Sequence, residues 1–253
     1  MESIEVMIED GVGYIYLARP QVYNAINSVM MDELEITFDK WKNDSQVKVI
    51  VISGKGDNFS SGGDLTEFHA LNTKEAVMPM LLKMANILNK LENIGKPTIA
   101  VLTGKTLGGG AELAVACDIR IASIKANLGF IQINLGITAG WGSGIRLIRK
   151  IGRSKGLYVL LTGKIFDSNQ LKEIGLVDLV VEDELLTDTV KNIATLISSH
   201  DQKAIDAYLT LANELKNSDS SFYDLQRKEI ERSATLWESP IHVEAVNNFL
   251  RKK

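Results

Sequence analysis

Two glycine-rich segments constrain this chain more than anything else in it. Asn58-Phe59-Ser60-Ser61-Gly62-Gly63-Asp64-Leu65 follows an apolar run at 47–53, and Gly104-Lys105-Thr106-Leu107-Gly108-Gly109-Gly110-Ala111-Glu112-Leu113 follows a second at 98–103. Short, nearly continuous apolar runs read as strands buried on both faces. Each glycine segment then opens a helical pattern. A helix N-terminus leaves N–H groups unpaired and directed at incoming negative charge, and glycine lets a ligand approach the backbone closely. One such loop is an ordinary tight turn. Two, with Glu112 just inside the second helix, suggest a site.

The rest of the chain agrees with an α/β domain. Ile4 to Glu9 alternates, Asp10-Gly11 turns the chain, and 14–17 returns as a second strand, which makes a hairpin. Ser28 is expected to cap a helix over 29–42, with Met30, Leu34 and Phe38 on one face and Met31 and Trp41 beside it. Thr73 opens a helix to 92 that Gly95-Lys96-Pro97 stops, a further helix starts near Ala111, and 119–123 is another strand. Recurring strand–helix units pack helices on a sheet. After 183 only helical patterns follow, at 185–199, 202–216, 222–236 and 241–250. Tyr223, Leu225, Trp237 and Phe249 make this tail more apolar than a solvated one needs to be, so it is expected to pack on its own domain or on a neighbouring subunit.

Other chemistries fail on spacing or charge. Lys and Arg number 28 against 32 Asp and Glu, a net charge of −4, without the basic excess of a nucleic-acid binder. Gly104-Lys105-Thr106 lacks the upstream glycine of a phosphate-binding loop, since Ile99 stands there. No Gly-x-Gly-x-x-Gly follows the first strand, and Gly140-Trp141-Gly142-Ser143-Gly144 is not a nucleophile elbow. His69, His200 and His242 have no ligand spacing, so no metal is expected. Cys117, the single cysteine, sits in an apolar run and reads as core. Met1-Glu2-Ser3-Ile4-Glu5 has no signal-peptide pattern and no run is long enough to span a membrane, so a cytoplasmic protein is expected.

Four segments together resemble the crotonase superfamily, the enoyl-CoA hydratase/isomerase family. They are Arg19-Pro20-Gln21-Val22-Tyr23-Asn24-Ala25-Ile26, the loop from Phe59 to Leu65, Leu107 to Leu113 with Cys117-Asp118, and Leu135-Gly136-Ile137-Thr138-Ala139-Gly140-Trp141-Gly142. Their order and spacing match over nearly the whole chain. The resemblance implies an α/β fold, a spiral of ββα units, with a core over 1–195 that holds an acyl-CoA site and a helical trimerisation region over 196–253. It implies a homotrimer or dimer of trimers, an acyl-CoA substrate and no cofactor beyond the coenzyme A of that substrate. The N–H groups of Gly63 and Gly109 carry over as the oxyanion hole for a thioester enolate. One such donor contributes roughly 3–4 kcal/mol to the barrier. Glu112 carries over as the proton carrier. Asn24, Ala25, Ser61, Asp64, Leu65 and Trp141 carry over to substrate and CoA binding, with Arg19 and Lys55 as candidates for the phosphates.

One departure stands out. Where family hydratases place a second glutamate, this chain has Gln132 in Gly129-Phe130-Ile131-Gln132. An amide holds water or an oxygen but exchanges no proton at neutral pH. A closer similarity, carried by Phe59 to Leu65, Ala111-Glu112-Leu113 and Thr235-Leu236-Trp237-Glu238-Ser239-Pro240, is to the ethylmalonyl-/methylmalonyl-CoA decarboxylases. Decarboxylation of a short malonyl-type thioester is therefore the first expectation, with Gln132 donating an amide N–H to the substrate carboxylate. Hydration of a 2-enoyl-CoA with a single catalytic glutamate and a non-catalytic CoA-binding homologue remain as alternatives.

Overall fold

The computed structural model describes residues 1–200, 202–217, 230–231, 234, 237–238 and 240–251. Strands β1 (Ile4–Glu9) and β2 (Val12–Leu17) form the expected hairpin, with β2 starting two residues earlier than its pattern. Asp10 and Gly11 both take positive φ, 50° and 81°, the turn geometry whose twist matches paired strands. Strands β3 (Val49–Gly54), β4 (Thr98–Leu102), β6 (Ile119–Ser123) and β9 (Leu179–Val181) continue the sheet in parallel, in the order β1-β2-β3-β4-β6-β9.

Alternate residues of these strands feed two cores, as a period of two requires. Ile15, Leu17, Ile50, Ile52, Ala100 and Leu102 face the larger one. Helices α1 (Ser28–Lys42), α3 (Lys74–Glu92) and α4 (Gly109–Ala116) pack their buried faces into that core. Val12, Tyr14, Val49, Val51, Ile99 and Ile121 face the other way, onto Leu186, Val190 and Ala194, spaced four apart along α8 (Asp183–Ser199). Continuous apolar strands are thus the product of a sheet covered on both sides.

The cap of α1 differs from expectation. Asn27, not Ser28, sits outside the helix, and its side chain accepts from the Met30 N–H at 2.9 Å. Thr73 caps α3 as its sequence indicates. Helix α4 starts at Gly109, two residues before the apolar pattern does. The tail carries α9 (Gln202–Asn217) and α10 (Pro240–Arg251). Most of the helix expected over 222–236 lies outside the described residues.

A second, three-stranded sheet had no counterpart in the sequence reading. Strand β5 (Lys105–Leu107) pairs in parallel with β7 (Asn127–Gly129), which pairs antiparallel with the two residues of β8 (Phe166–Asp167). A single bridge from Ser60 to Thr106 ties the first glycine loop alongside it, and another from Gly63 to Ile26 ties that loop to the segment before α1. The two glycine loops therefore run side by side.

Trp41 joins α1 to the sheet. It is 2% exposed, and its ring lies where Gly13 of β2 has no side chain, since a Cβ there would meet Cζ3 at 2.7 Å. Trp41→Ala is expected to cost about 3–5 kcal/mol of stability, read from the shift of the urea unfolding midpoint.

Candidate active site

Backbone approach builds the site. Position 62 abuts the second loop, since a Cβ there would lie 3.0 Å from the Gly109 nitrogen. Gly110 packs on Ser60 so tightly that a Cβ would meet its carbonyl oxygen at 2.5 Å. The Trp141 ring spans both loops: a Cβ on Gly109 would collide with Cζ3 at 2.1 Å, and one on Gly63 would touch Cζ2 at 3.5 Å. Neither the Gly63 nor the Gly109 N–H meets a backbone acceptor among the described residues. Two donors thus sit on adjacent loops beneath an indole that is 4% exposed.

Glu112 lies one turn into α4 and is 2% exposed. Four N–H groups grip its carboxylate. Oε1 accepts from Gln132 Nε2 at 3.0 Å and Gly140 N at 3.2 Å. Oε2 accepts from Trp141 N at 2.9 Å and Ser143 N at 3.3 Å. The Ser143 hydroxyl also donates to the Glu112 carbonyl at 3.1 Å. Burial pushes the carboxyl up from 4.5 to about 7, against the pull of these donors, the Trp141 N–H first among them. A group that titrates near neutrality both takes and gives protons.

Gln132 stands in the short 3-10 turn Ile131–Leu135, 9% exposed. One amide N–H is committed to Glu112, and Oε1 is buried with no partner among the described residues. A buried acceptor without a donor is costly, so this atom calls for a water or a substrate donor.

The other expected residues split into two groups. Asn24 is fully buried and sits at φ 55°. Its Oδ1 accepts from Arg19 N at 2.9 Å, and its Nδ2 donates to Lys55 O at 2.9 Å and Asn58 O at 2.7 Å. Its side chain is a knot between loops. Arg19 gives Nη1 to the Ala25 carbonyl at 2.6 Å and to Asp64 Oδ2 at 2.8 Å. Asp64 also caps the short helix α2 (Leu65–Phe68), in which Leu65 is the first residue. Arg19, Ala25 and Asp64 thus form one internal cluster that shapes the approach to Gly63. Ser61 donates its N–H to Tyr23 O at 2.9 Å on the same wall. Lys55 is outside it, paired with Glu5 at 2.7 Å and set over the Tyr16 ring at 4.9 Å. Lys105, which the sequence reading passed over, lies over the Tyr23 ring at 4.5 Å. Its only sequence signal is its place inside the second glycine segment. Cys117 is buried, and burial pushes its thiol up to about 12, so it is inert core. Among the described residues no three His, Cys, Asp or Glu side chains gather as a metal site, and no helix is long and apolar enough to cross a membrane.

A profile described as Enoyl-CoA hydratase/isomerase matches residues 7–253. The chain belongs to the enoyl-CoA hydratase/isomerase family. It is 36% identical over 208 residues to a short-chain-enoyl-CoA hydratase from Clostridium acetobutylicum, covering 81% of this chain and 79% of that one. It is 31% identical over 250 residues to an ethylmalonyl-CoA decarboxylase from Bos taurus, covering 96% and 80%. The crystal structure of an enoyl-CoA hydratase/isomerase from Xanthobacter autotrophicus Py2 superposes with a TM-score of 0.92 at 26% identity, over 98% of this chain and 93% of the other. The α/β architecture with its two sheets is therefore the crotonase fold of this family, an enzyme family of acyl-CoA chemistry.

The raised carboxyl has a consequence for stability. Unfolded Glu112 ionises near 4.5 and the folded residue near 7, so between these values the native state holds the extra proton and stability falls as pH rises. The contribution is about 3 kcal/mol across that window, from 1.36 kcal/mol per unit of pKa. Urea unfolding at several pH values is expected to lose this slope in Glu112→Gln.

Proposed function

We propose that this chain is a lyase of short acyl-CoA thioesters that works through a thioester enolate, and that its reaction is hydration of a 2-enoyl-CoA. The observation that carries the reading is the pairing of a near-neutral carboxyl, Glu112, with the acceptor Oε1 of Gln132, which has no partner among the described residues. The 36% identity to a short-chain-enoyl-CoA hydratase supports it.

In the proposed reaction the thioester oxygen lies between the Gly63 and Gly109 N–H groups. A water gives one hydrogen to Gln132 Oε1 as a hydrogen bond and its other proton to ionised Glu112. Its oxygen bonds to the β carbon, and the electron pair of the double bond moves through the α carbon onto the thioester oxygen. The two N–H donors hold that developing charge. Glu112 then returns the proton to the α carbon. One group takes and gives the same proton, so no second carboxylate and no cofactor beyond coenzyme A enters. The Trp141 ring, packed against Gly109, walls the acyl group in this reading. Assembly as a homotrimer or dimer of trimers belongs to the same proposal, supported by exposed Tyr158, Leu161 and Ile165 on and after α6 (Arg153–Thr162).

Decarboxylation of a malonyl-type thioester is the second reading. A neutral Gln132 places no negative charge beside a substrate carboxylate, and its second amide N–H remains to meet one. The ethylmalonyl-CoA decarboxylase match over 96% of the chain favours it as well. Loss of carbon dioxide leaves the same enolate, which protonated Glu112 quenches.

Incubation with crotonyl-CoA and, separately, with methylmalonyl-CoA and ethylmalonyl-CoA separates the two, with products followed by mass spectrometry. Hydration of crotonyl-CoA is expected, falling as pH drops below about 7 because the base must be ionised. Carbon dioxide release with little hydration would replace this reading by the second. Glu112→Gln is expected to lower turnover about 10²- to 10⁴-fold, and Gln132→Glu to raise hydration relative to decarboxylation.

A further inference from the structure

Behind the loop that grips Glu112 lies a buried ion pair that neither proposed reaction uses. Arg146 of α5 (Ser143–Ile151) is 2% exposed, and its Nε donates to Glu92 Oε2 at 2.8 Å. Both partners are sealed from water, with side-chain exposures of 1% and 6%. Glu92 is the last residue of α3, and Asn89, one turn earlier, accepts from Nη2 at 2.6 Å. The remaining guanidinium nitrogen turns the other way. Nη1 donates to the Trp141 carbonyl at 3.0 Å and lies 3.4 Å from the Ser143 hydroxyl. Those are the two residues whose N–H groups hold Glu112 Oε2.

A buried ion pair is weak support for stability in itself, because desolvation of two charges offsets their attraction. It is, however, a rigid anchor: the guanidinium is a planar fork with fixed donor directions. We infer that Arg146 is the positioning residue of the Glu112 cradle, fixing the Trp141–Ser143 backbone against α3 so that its N–H groups converge on the carboxylate. Lysine keeps the charge at this place but not the fork. The assignment is thus one of geometry rather than of charge.

The sign of the effect follows. N–H donors stabilise ionised Glu112, and burial opposes it. When the loop loosens, the donors weaken and burial does not, so Glu112 titrates at higher pH. Of the charged groups on the neighbouring elements, Arg146 and Glu92 pair with each other behind the loop, and Lys150 of α5 reaches the Cys117 carbonyl at the far end of α4; His242 of α10, whose Nδ1 meets the Leu135 carbonyl at the end of the turn that carries Gln132, is a titratable group that burial favours in its neutral form.

The test uses the full chain labelled with 5-fluorotryptophan. There are three tryptophans, and Trp141→Phe assigns the fluorine resonance of the one bonded to Glu112. In the wild type that resonance is expected to titrate with Glu112, and Glu112→Gln is expected to abolish the titration. Arg146→Lys is expected to raise the midpoint by about 1 in pH and to lower kcat roughly 10- to 100-fold with KM little changed. Asn89→Ala, which leaves both charges in place, is expected to move the midpoint the same way by less, and stands in if Arg146→Lys does not fold. Glu92→Gln keeps an acceptor for Nε and leaves the guanidinium charge unbalanced, so its midpoint is expected to hold or fall. Unmoved midpoints in both Arg146→Lys and Asn89→Ala, with only a lower Tm, would overturn the inference and leave Arg146 a packing residue. The activity arm rests on Glu112 as proton carrier, but the titration arm does not. A midpoint that moves in a chain that turns over no acyl thioester supports the positioning role and overturns the functional reading alone.

Discussion

A carboxylate taken out of water must be compensated where it sits, and much of this structure is arranged around that requirement at Glu112. Four N–H groups surround it, three of them from one loop of backbone. Without them burial would push its pKa higher still. With water in place of the protein it would be an ordinary acid. The balance leaves it near 7, where neither protonation state is expensive. The loop that supplies the donors needs a fixed path, and that path is set by Arg146 on one side and the Trp141 ring against Gly109 on the other.

The sheet serves the same end at longer range. Helix α4 carries Glu112 and starts where β5 stops, and β5 is positioned by its pairing with β7 and by the bridge from Ser60. The other end of α4 is tied to β4, where Asp118 Oδ2 accepts from the Thr98 N–H and hydroxyl at 2.9 and 2.7 Å. Arg120 closes the same corner by giving Nη1 to the Cys117 carbonyl at 2.8 Å. The helix is therefore held at both ends by strands, which fixes the place of Glu112.

The sequence made legible what periodicity and special backbone express. Apolar runs at 47–53 and 98–103 marked the central strands, and the spacing of Met30, Leu34 and Phe38 marked α1. Positions 62, 109 and 110, where a side chain has no room, stood out as glycine. The small second sheet escaped because strands of two and three residues are too short to show alternation. The cap of α1 was off by one because Asn27 and Ser28 are both good capping residues, and only the Asn27 contact to Met30 decides between them. Motif resemblance brought Glu112, Gln132 and the two glycines into one list, but not the inward commitment of Arg19 to Asp64 and Ala25. A charge pattern carries no record of which cation is already spent. Arg146 was invisible for the same reason: on a helix heavy with basic residues, nothing in one dimension separates the buried arginine from its exposed neighbours.

The donors that hold Glu112 in the 140–143 loop are all main-chain groups. At position 141 the amide serves the acid while the indole shapes the space above Gly109, so two inheritances ride on one residue. A side-chain change there alters the space above Gly109 and removes one of the two supports of the loop, while the N–H that meets Glu112 belongs to the peptide bond, which every amino acid but proline supplies.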